Sequence, residues 1–175
     1  GGVVLHDLLP LAFKRSEVVR VADRIKRAQD AIGRPMAVEN VSFYLHPGKR
    51  EMTEAEFIAS VCEAADCGLM LDVNNAWVNA TNFGYDVDEW MRTIPLDRVV
   101  QMHVAGHDWF SEPSTGGAND FVLGERPADL SKHEGMLIVD THGSDVAGEV
   151  MALLERTLEK TGPVPVLLER DQSIP

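Results

Sequence analysis

The chain has 175 residues, 45% of them hydrophobic and 25% charged, which is enough for one domain with a real core and ordinary for a soluble globular protein. A net charge of −12 with no dense Lys/Arg cluster argues against a phosphate backbone or an anionic membrane as partner. No apolar run approaches the roughly 18 residues of a membrane span, no charged region precedes an apolar one at the start, and two cysteines do not suggest a disulfide framework; a cytoplasmic location is expected.

In chain order, an amphipathic helix is predicted over 16–32, with Ser16 as N-cap, Val18, Ala22, Ile25 and Ile32 near helical spacing, and Gly33 as stop. Pro35 then opens a strand, Met36-Ala37-Val38-Glu39. Thr53-Glu54-Ala55-Glu56 is a capping-box pattern for a second helix that turns Phe57, Ile58, Val61, Cys62 and Ala65 inward, so Cys62 reads as a buried, inert thiol. Leu69-Met70-Leu71-Asp72 follows as a strand, then a short helix over Asp86–Ile94 stopped by Pro95, then the strand Val99-Val100-Gln101-Met102-His103. Residues 109–135, with Pro113, Gly116, Gly117, Gly124 and Pro127, read as a long irregular loop at the rim: a lid or substrate-contacting loop in one reading, a solvated insertion in the other. The strand Leu137-Ile138-Val139-Asp140 comes next, then a helix capped by Ser144 or Asp145, then the strand Val166-Leu167-Leu168-Glu169.

The five apolar runs each end in a metal-capable residue, Glu39, Asp72, His103, Asp140 and Glu169, at intervals of 33, 31, 37 and 29 residues, about one strand-helix unit each. Short apolar runs alternating with helices indicate a parallel α/β sheet. Closed into a (β/α)8 TIM barrel, such strands gather their terminal residues at the C-terminal rim, where these barrels keep their chemistry. At about 30 residues per unit, five units fill about five eighths of a barrel. With a start at Gly1-Gly2-Val3 and no initiator Met, the expectation is a single incomplete barrel domain over 1–175, the last five units of eight.

Asp140 and His142, two apart in a strand, would point the same way. Carboxylate and imidazole donors without thiolate suit Fe, Mn or Zn, whereas Mg and Ca rarely take imidazole. One carboxylate after a strand is more often a helix cap or half of an ion pair, but five such endings in succession are much harder to assign that way. His46 and His133 read as surface or loop-packing residues; His6 is open between that role and a site role.

On these residues the chain resembles the multinuclear non-heme iron-dependent oxidative enzymes. The matching stretches are Leu5-His6-Asp7-Leu8-Leu9-Pro10-Leu11, Val38-Glu39-Asn40-Val41-Ser42-Phe43-Tyr44, Leu71-Asp72-Val73-Asn74-Asn75, Val99 through His107, Ile138-Val139-Asp140-Thr141-His142 and Leu168-Glu169-Arg170-Asp171. The resemblance implies a TIM barrel related to xylose isomerases. It also implies two or three irons, with Mn or Zn as substitutes, and dioxygen as co-substrate. The substrate would be a ribosomally made precursor peptide, often modified at cysteine, commonly with a helper protein that presents it. By resemblance the ligands are Glu39, Asp72, Asn75, His103, Asp140, His142 and Glu169, with Asp171 as a supporting or acid-base group and His107 as a supporting partner. The family's first three strands, including a histidine ligand, have no counterpart in this sequence, and the segment between Asp108 and Glu134 is longer than is usual in relatives.

Two other readings stand beside this one. A divalent-metal sugar isomerase or phosphoesterase would use the same residue types on the same barrel. A non-catalytic remnant or subunit would carry open sheet edges and need a partner.

Overall fold

The computed structural model describes residues 9–46, 48–111, 122–128, 135–172 and 174. His6 and His133, the stretch 5–8 and much of the expected loop (112–121 and 129–134) lie outside the described residues. The elements are α1 (Arg15–Ile32), β1 (Ala37–Glu39), α2 (Glu54–Ala65), β2 (Gly68–Asp72), α3 (Val73–Phe83), α4 (Val87–Thr93), a 3-10 turn (Leu96–Arg98), β3 (Val99–Ala105), β4 (Asp108–Ser111), β5 (Val122–Leu123), β6 (Met136–Val139), α5 (Gly148–Thr161) and β7 (Val166–Glu169).

Four strands form a parallel sheet in the order β1-β2-β3-β7. Its helix-covered face is the core: Leu69, Leu71, Met102 and Val104 pack with Phe57, Val61, Met91, Val150 and Leu153. The opposite face, carrying Glu39, Asp72, His103 and Glu169, is the one that matters for chemistry. Among the described strands the sheet is open, with β1 and β7 at its edges, and Val166, Leu167 and Leu168 of β7 are all exposed. No helix among the described residues is long and apolar enough to cross a membrane.

The expectation of five parallel strands needs one correction. The fourth run, β6, is not inserted between β3 and β7; it pairs antiparallel with β4, which pairs in turn with β5, in a separate three-stranded sheet. Only Gly106 and His107 separate the end of β3 from the start of β4, and the segment after β6 crosses the chain at this point. A Cβ on Gly106 would lie 1.9 Å from the Ser144 carbonyl oxygen, so only glycine lets the segment after β6 cross so close to the end of β3. Part of the expected irregular loop is therefore strand.

Helix starts also differ where tertiary partners replace local caps. The capping box at Thr53 and Glu56 is present, as expected. At α1, however, Ser16 is inside the helix, and the Arg15 N–H donates to Glu51 Oε2 (3.1 Å). At α5, Ser144 donates instead to Asp108 and Asp145 pairs with Arg170, so the helix begins later, at Gly148, without a side-chain cap. The helix absent from the sequence reading is α3, which follows β2 with no loop. Its four asparagines, Thr81 and two valines have low helix propensity. Cys62 is fully buried, and burial pushes its thiol up to about 12, as an inert core thiol requires. His46 packs its ring against Phe13, Phe43 and Phe83.

Glu54, in the first turn of α2, is the buried acid of the helical layer. Its Oε2 accepts from Tyr85 OH and Trp90 Nε1 (both 3.1 Å) and its Oε1 from Asn79 Nδ2 (3.2 Å). Burial outweighs those donors and raises the carboxyl from 4.5 to about 7. The folded state thus binds this proton more tightly than the unfolded chain: the contribution to stability is full below the unfolded value and is lost as pH rises through about 7. Its upper size is about 3 kcal/mol. Urea unfolding at about pH 5 and about pH 8 should show wild type losing more stability on alkalinisation than Glu54→Gln; equal losses would contradict this assignment.

Candidate metal centre

Strand register builds the site. Glu39 pairs with Met70, Asp72 with His103, and Ala105 with Glu169. Because alternate residues share a face, this pairing turns Glu39, Asp72, His103 and Glu169 to the same side of the sheet. Glu39, Asp72 and His103 each offer a donor atom within 4.8 Å of the others. His103 Nδ1 lies 3.0 Å from Glu39 Oε1 and 3.2 Å from Glu169 Oε1. Its imidazole is buried, and Nδ1 has no aligned hydrogen-bond partner among the described residues. The other ring nitrogen, Nε2, is 2.9 Å from the Gln101 amide. The atom facing it is the amide nitrogen, which can only donate, so Nε2 accepts and Nδ1 is the ring nitrogen turned to the carboxylates, where a bound cation would take the place of its proton.

A second group approaches from the end of β6. His142 Nε2 is 3.1 Å from Asp140 Oδ1, and His142 Nδ1 is 3.7 Å from both Glu169 Oε2 and Asp171 Oδ2. The pair is not aligned by strand geometry, since β6 ends at Val139; His142 instead has φ of 51°, in the left-handed region that costs a non-glycine residue about 1–3 kcal/mol. Two backbone bonds hold it there: its N–H donates to Gly106 O and its carbonyl accepts from the Asp171 N–H (3.0 Å each). Glu169 is thus the residue both groups share. Asp171 stands mostly in solvent at the edge of this group.

The electrostatics favour a cation. Burial raises the carboxyls of Glu39, Asp72 and Asp140, Asp72 to about 8, and the neighbouring acids push Asp72 further in the same direction. Carboxylates crowded around a buried imidazole nitrogen, Asp72 buried and Glu39, Asp140 and Glu169 half-buried, fit a metal ion of the Fe, Mn or Zn kind. Asn75 fits the same description: its Nδ2 donates to Asn40 O (3.0 Å), while its Oδ1 is a buried acceptor without a partner among the described residues. The two thiols lie elsewhere, between α2 and β2.

Sequence reasoning missed the residues that hold these side chains in place. Asn40 grips Asp72 by its backbone: Asn40 Nδ2 donates to Asp72 O (2.8 Å) and Asn40 Oδ1 accepts from the Asp72 N–H (2.9 Å). Asp72 Oδ1 in turn accepts from the Asn75 N–H (2.7 Å) and so caps α3. Asn74 Nδ2 donates to Asp140 Oδ1 (2.8 Å), and its Oδ1 is 2.8 Å from His107 Nδ1. With Asn74 donating to the carboxylate, its oxygen can only accept, so His107 carries its proton on Nδ1. Burial lowers the pKa of His107, in keeping with a neutral ring. The Asp140 N–H also donates to Tyr44 OH (3.1 Å). The one available signal was Asp72-Val73-Asn74-Asn75, an N-cap followed by two asparagines.

A family model described as "RiPP precursor modification enzyme MbnB/TglH/ChrH" matches residues 1–175. The chain belongs to that family. Among curated relatives, a UPF0276 protein of Nitrosospira multiformis is 42% identical over 171 residues, covering 98% of this chain and 52% of its own length. A UPF0276 protein of Shewanella amazonensis is 41% identical over 175 residues, covering 100% and 54%, and one of Pseudomonas aeruginosa is 41% identical over 172 residues, covering 98% and 52%. The chain therefore spans about half the length of the curated relatives it matches.

Asn40→Ala should destabilise the protein by about 2–4 kcal/mol, because it strands a buried N–H and a buried carbonyl of Asp72. It should also weaken Mn(II) or Fe(II) binding, measured by anaerobic titration calorimetry, about tenfold or more. Unchanged metal affinity in a folded Asn40→Ala protein would show that the grip on Asp72 does not organise the site.

Proposed function

We propose that this chain forms the later strand-helix units of a (β/α)8 barrel and supplies most ligands of a multinuclear iron centre. In the whole protein that centre would use dioxygen to oxidise cysteine or another residue of a ribosomally made precursor peptide, which a helper protein presents in the cytoplasm. The observation that carries the reading is the buried, unsatisfied Nδ1 of His103 facing Glu39 and Glu169, with Asp72 alongside, at the C-terminal ends of adjacent parallel strands. Barrel closure is supported by the exposed apolar face and edge of β7.

Seven residues would hold the metal: Glu39, Asp72, Asn75, His103, Asp140, His142 and Glu169. When bound, ferrous iron supplies electrons for dioxygen and Lewis acidity toward a substrate thiolate. Mn or Zn fits the same donors, but Zn cannot supply the electrons. The protein's own share is positional. Asn74, held by the His107 Nδ1 proton, fixes Asp140. Asp171, exposed and 3.7 Å from His142, exchanges protons between the site and solvent.

The test uses the full-length protein with ferrous iron, dioxygen, peptide and helper, and reads the peptide by mass spectrometry. A dioxygen-dependent mass change is expected for wild type, reduced about a hundredfold or more in Asp140→Ala and in His142→Ala. Turnover retained by either folded variant, or a product that forms equally without dioxygen, would overturn the proposal.

A further inference from the structure

Away from that centre, a cavity of about 650 Å³ opens between the first turn of α2, residues 43–46 and 50–53, and α4. Phe13, Phe43, His46 and Phe83 form one wall as a cluster of rings, with Phe43 and Phe83 stacked at 4.8 Å and His46 tilted against Phe83 at 4.5 Å. Tyr85 and Trp90 also line it, and both direct their polar atoms at the Glu54 carboxylate in its wall.

Glu54 has three donors, all neutral, and no Lys, Arg or His of the described residues pairs with it. A carboxylate offers about four lone-pair positions, so one is left. A buried carboxylate with hydrogen bonds but no counter-charge is unfavourable when ionised. An apolar residue would stabilise this first turn more simply, and the residue that is there faces a cavity wide enough to admit the missing charge. The other charged groups agree in sign: Glu56, Asp86 and Glu89 line the cavity against Arg50 as the single guanidinium among its described lining residues. Ring faces attract cations, and a planar guanidinium can stack on them while its edge donates to a carboxylate.

We propose that this cavity is a binding site for an alkyl guanidinium, its planar head hydrogen-bonded to Glu54 and set against the aromatic wall, with Asp86 and Glu89 adding negative charge at the opening. The site is distinct from the metal centre but joined to it. Asn79 donates to Glu54 Oε1 and to Val41 O (2.9 Å), and accepts from the Phe43 N–H (3.0 Å). Those residues belong to the segment whose first member, Asn40, grips Asp72. A ligand on Glu54 therefore touches the same loop that shapes the ligand end of β1, on the rim where the strands end.

The experiment is titration of the chain with n-propylguanidinium and with its neutral isostere n-propylurea, read by calorimetry and by the emission change expected from Trp90. Saturable binding of the guanidinium, at least tenfold tighter than the urea, is expected, with a tenfold or greater loss in Glu54→Gln and a smaller loss in Glu89→Gln, which touches no buried bond. Circular dichroism establishes that each variant is folded, and the Glu89→Gln arm keeps the test decisive if Glu54→Gln does not fold. Equal binding of the two probes, no saturable binding of the guanidinium, or affinity unchanged in folded Glu54→Gln and Glu89→Gln would overturn the proposal.

Discussion

The rim of this protein depends on the asparagines of α3. Because Asp72 both ends β2 and caps α3, the helix starts without a loop, and its asparagines reach the segment after β1, the start of α2 and the end of β6. Asn74 holds Asp140, Asn75 bonds the Asn40 carbonyl, Asn79 ties segment 41–43 to Glu54, and Asn82 takes both the N–H and the carbonyl of Ile138 in β6 (2.9 and 2.8 Å). An asparagine offers a donor and an acceptor from one short side chain, so each of these can latch a backbone or orient a carboxylate with little entropy to lose. Such a helix is poor in intrinsic propensity and is maintained by these tertiary bonds.

The second constraint is electrostatic. Glu39, Asp72, Asp140 and Glu169 are drawn together around two imidazoles, and burial disfavours the charged form of the first three. A fold concerned only with stability would not gather them on the open face of a sheet whose other face is an ordinary apolar core. The left-handed backbone at His142 and the close crossing at Gly106 are further local costs at the same place. A bound cation offsets all of the charge crowding at once, which is why the metal reading accounts for the arrangement better than a chance set of strand-ending acids.

Much of the architecture was legible in the sequence because it is written in local patterns: the apolar runs that became β1, β2, β3, β6 and β7, the capping box of α2, and Gly33 in the left-handed position after α1. The ligand candidates were legible because they end those runs. What was not legible is non-local. An apolar four-residue run looks the same in a parallel or an antiparallel sheet, so the pattern alone does not separate β6, antiparallel to β4, from the parallel strands. The two candidates for the N-cap of α5, Ser144 and Asp145, bond Asp108 and Arg170 instead, and the holding roles of Asn40 and Asn74 lie in partners 32 and 66 residues away. For α3, weak propensity hid a helix that only its contacts sustain.

The most direct test of this account is an anomalous difference map, collected at the iron edge, from crystals of the full-length protein prepared anaerobically with ferrous iron. The account predicts iron bonded to His103 Nδ1 and to Glu39, Asp72 and Glu169, with a further peak near Asp140 and His142. Iron bound only elsewhere, or no peak at His103 in protein that crystallises with these side chains ordered, would contradict it.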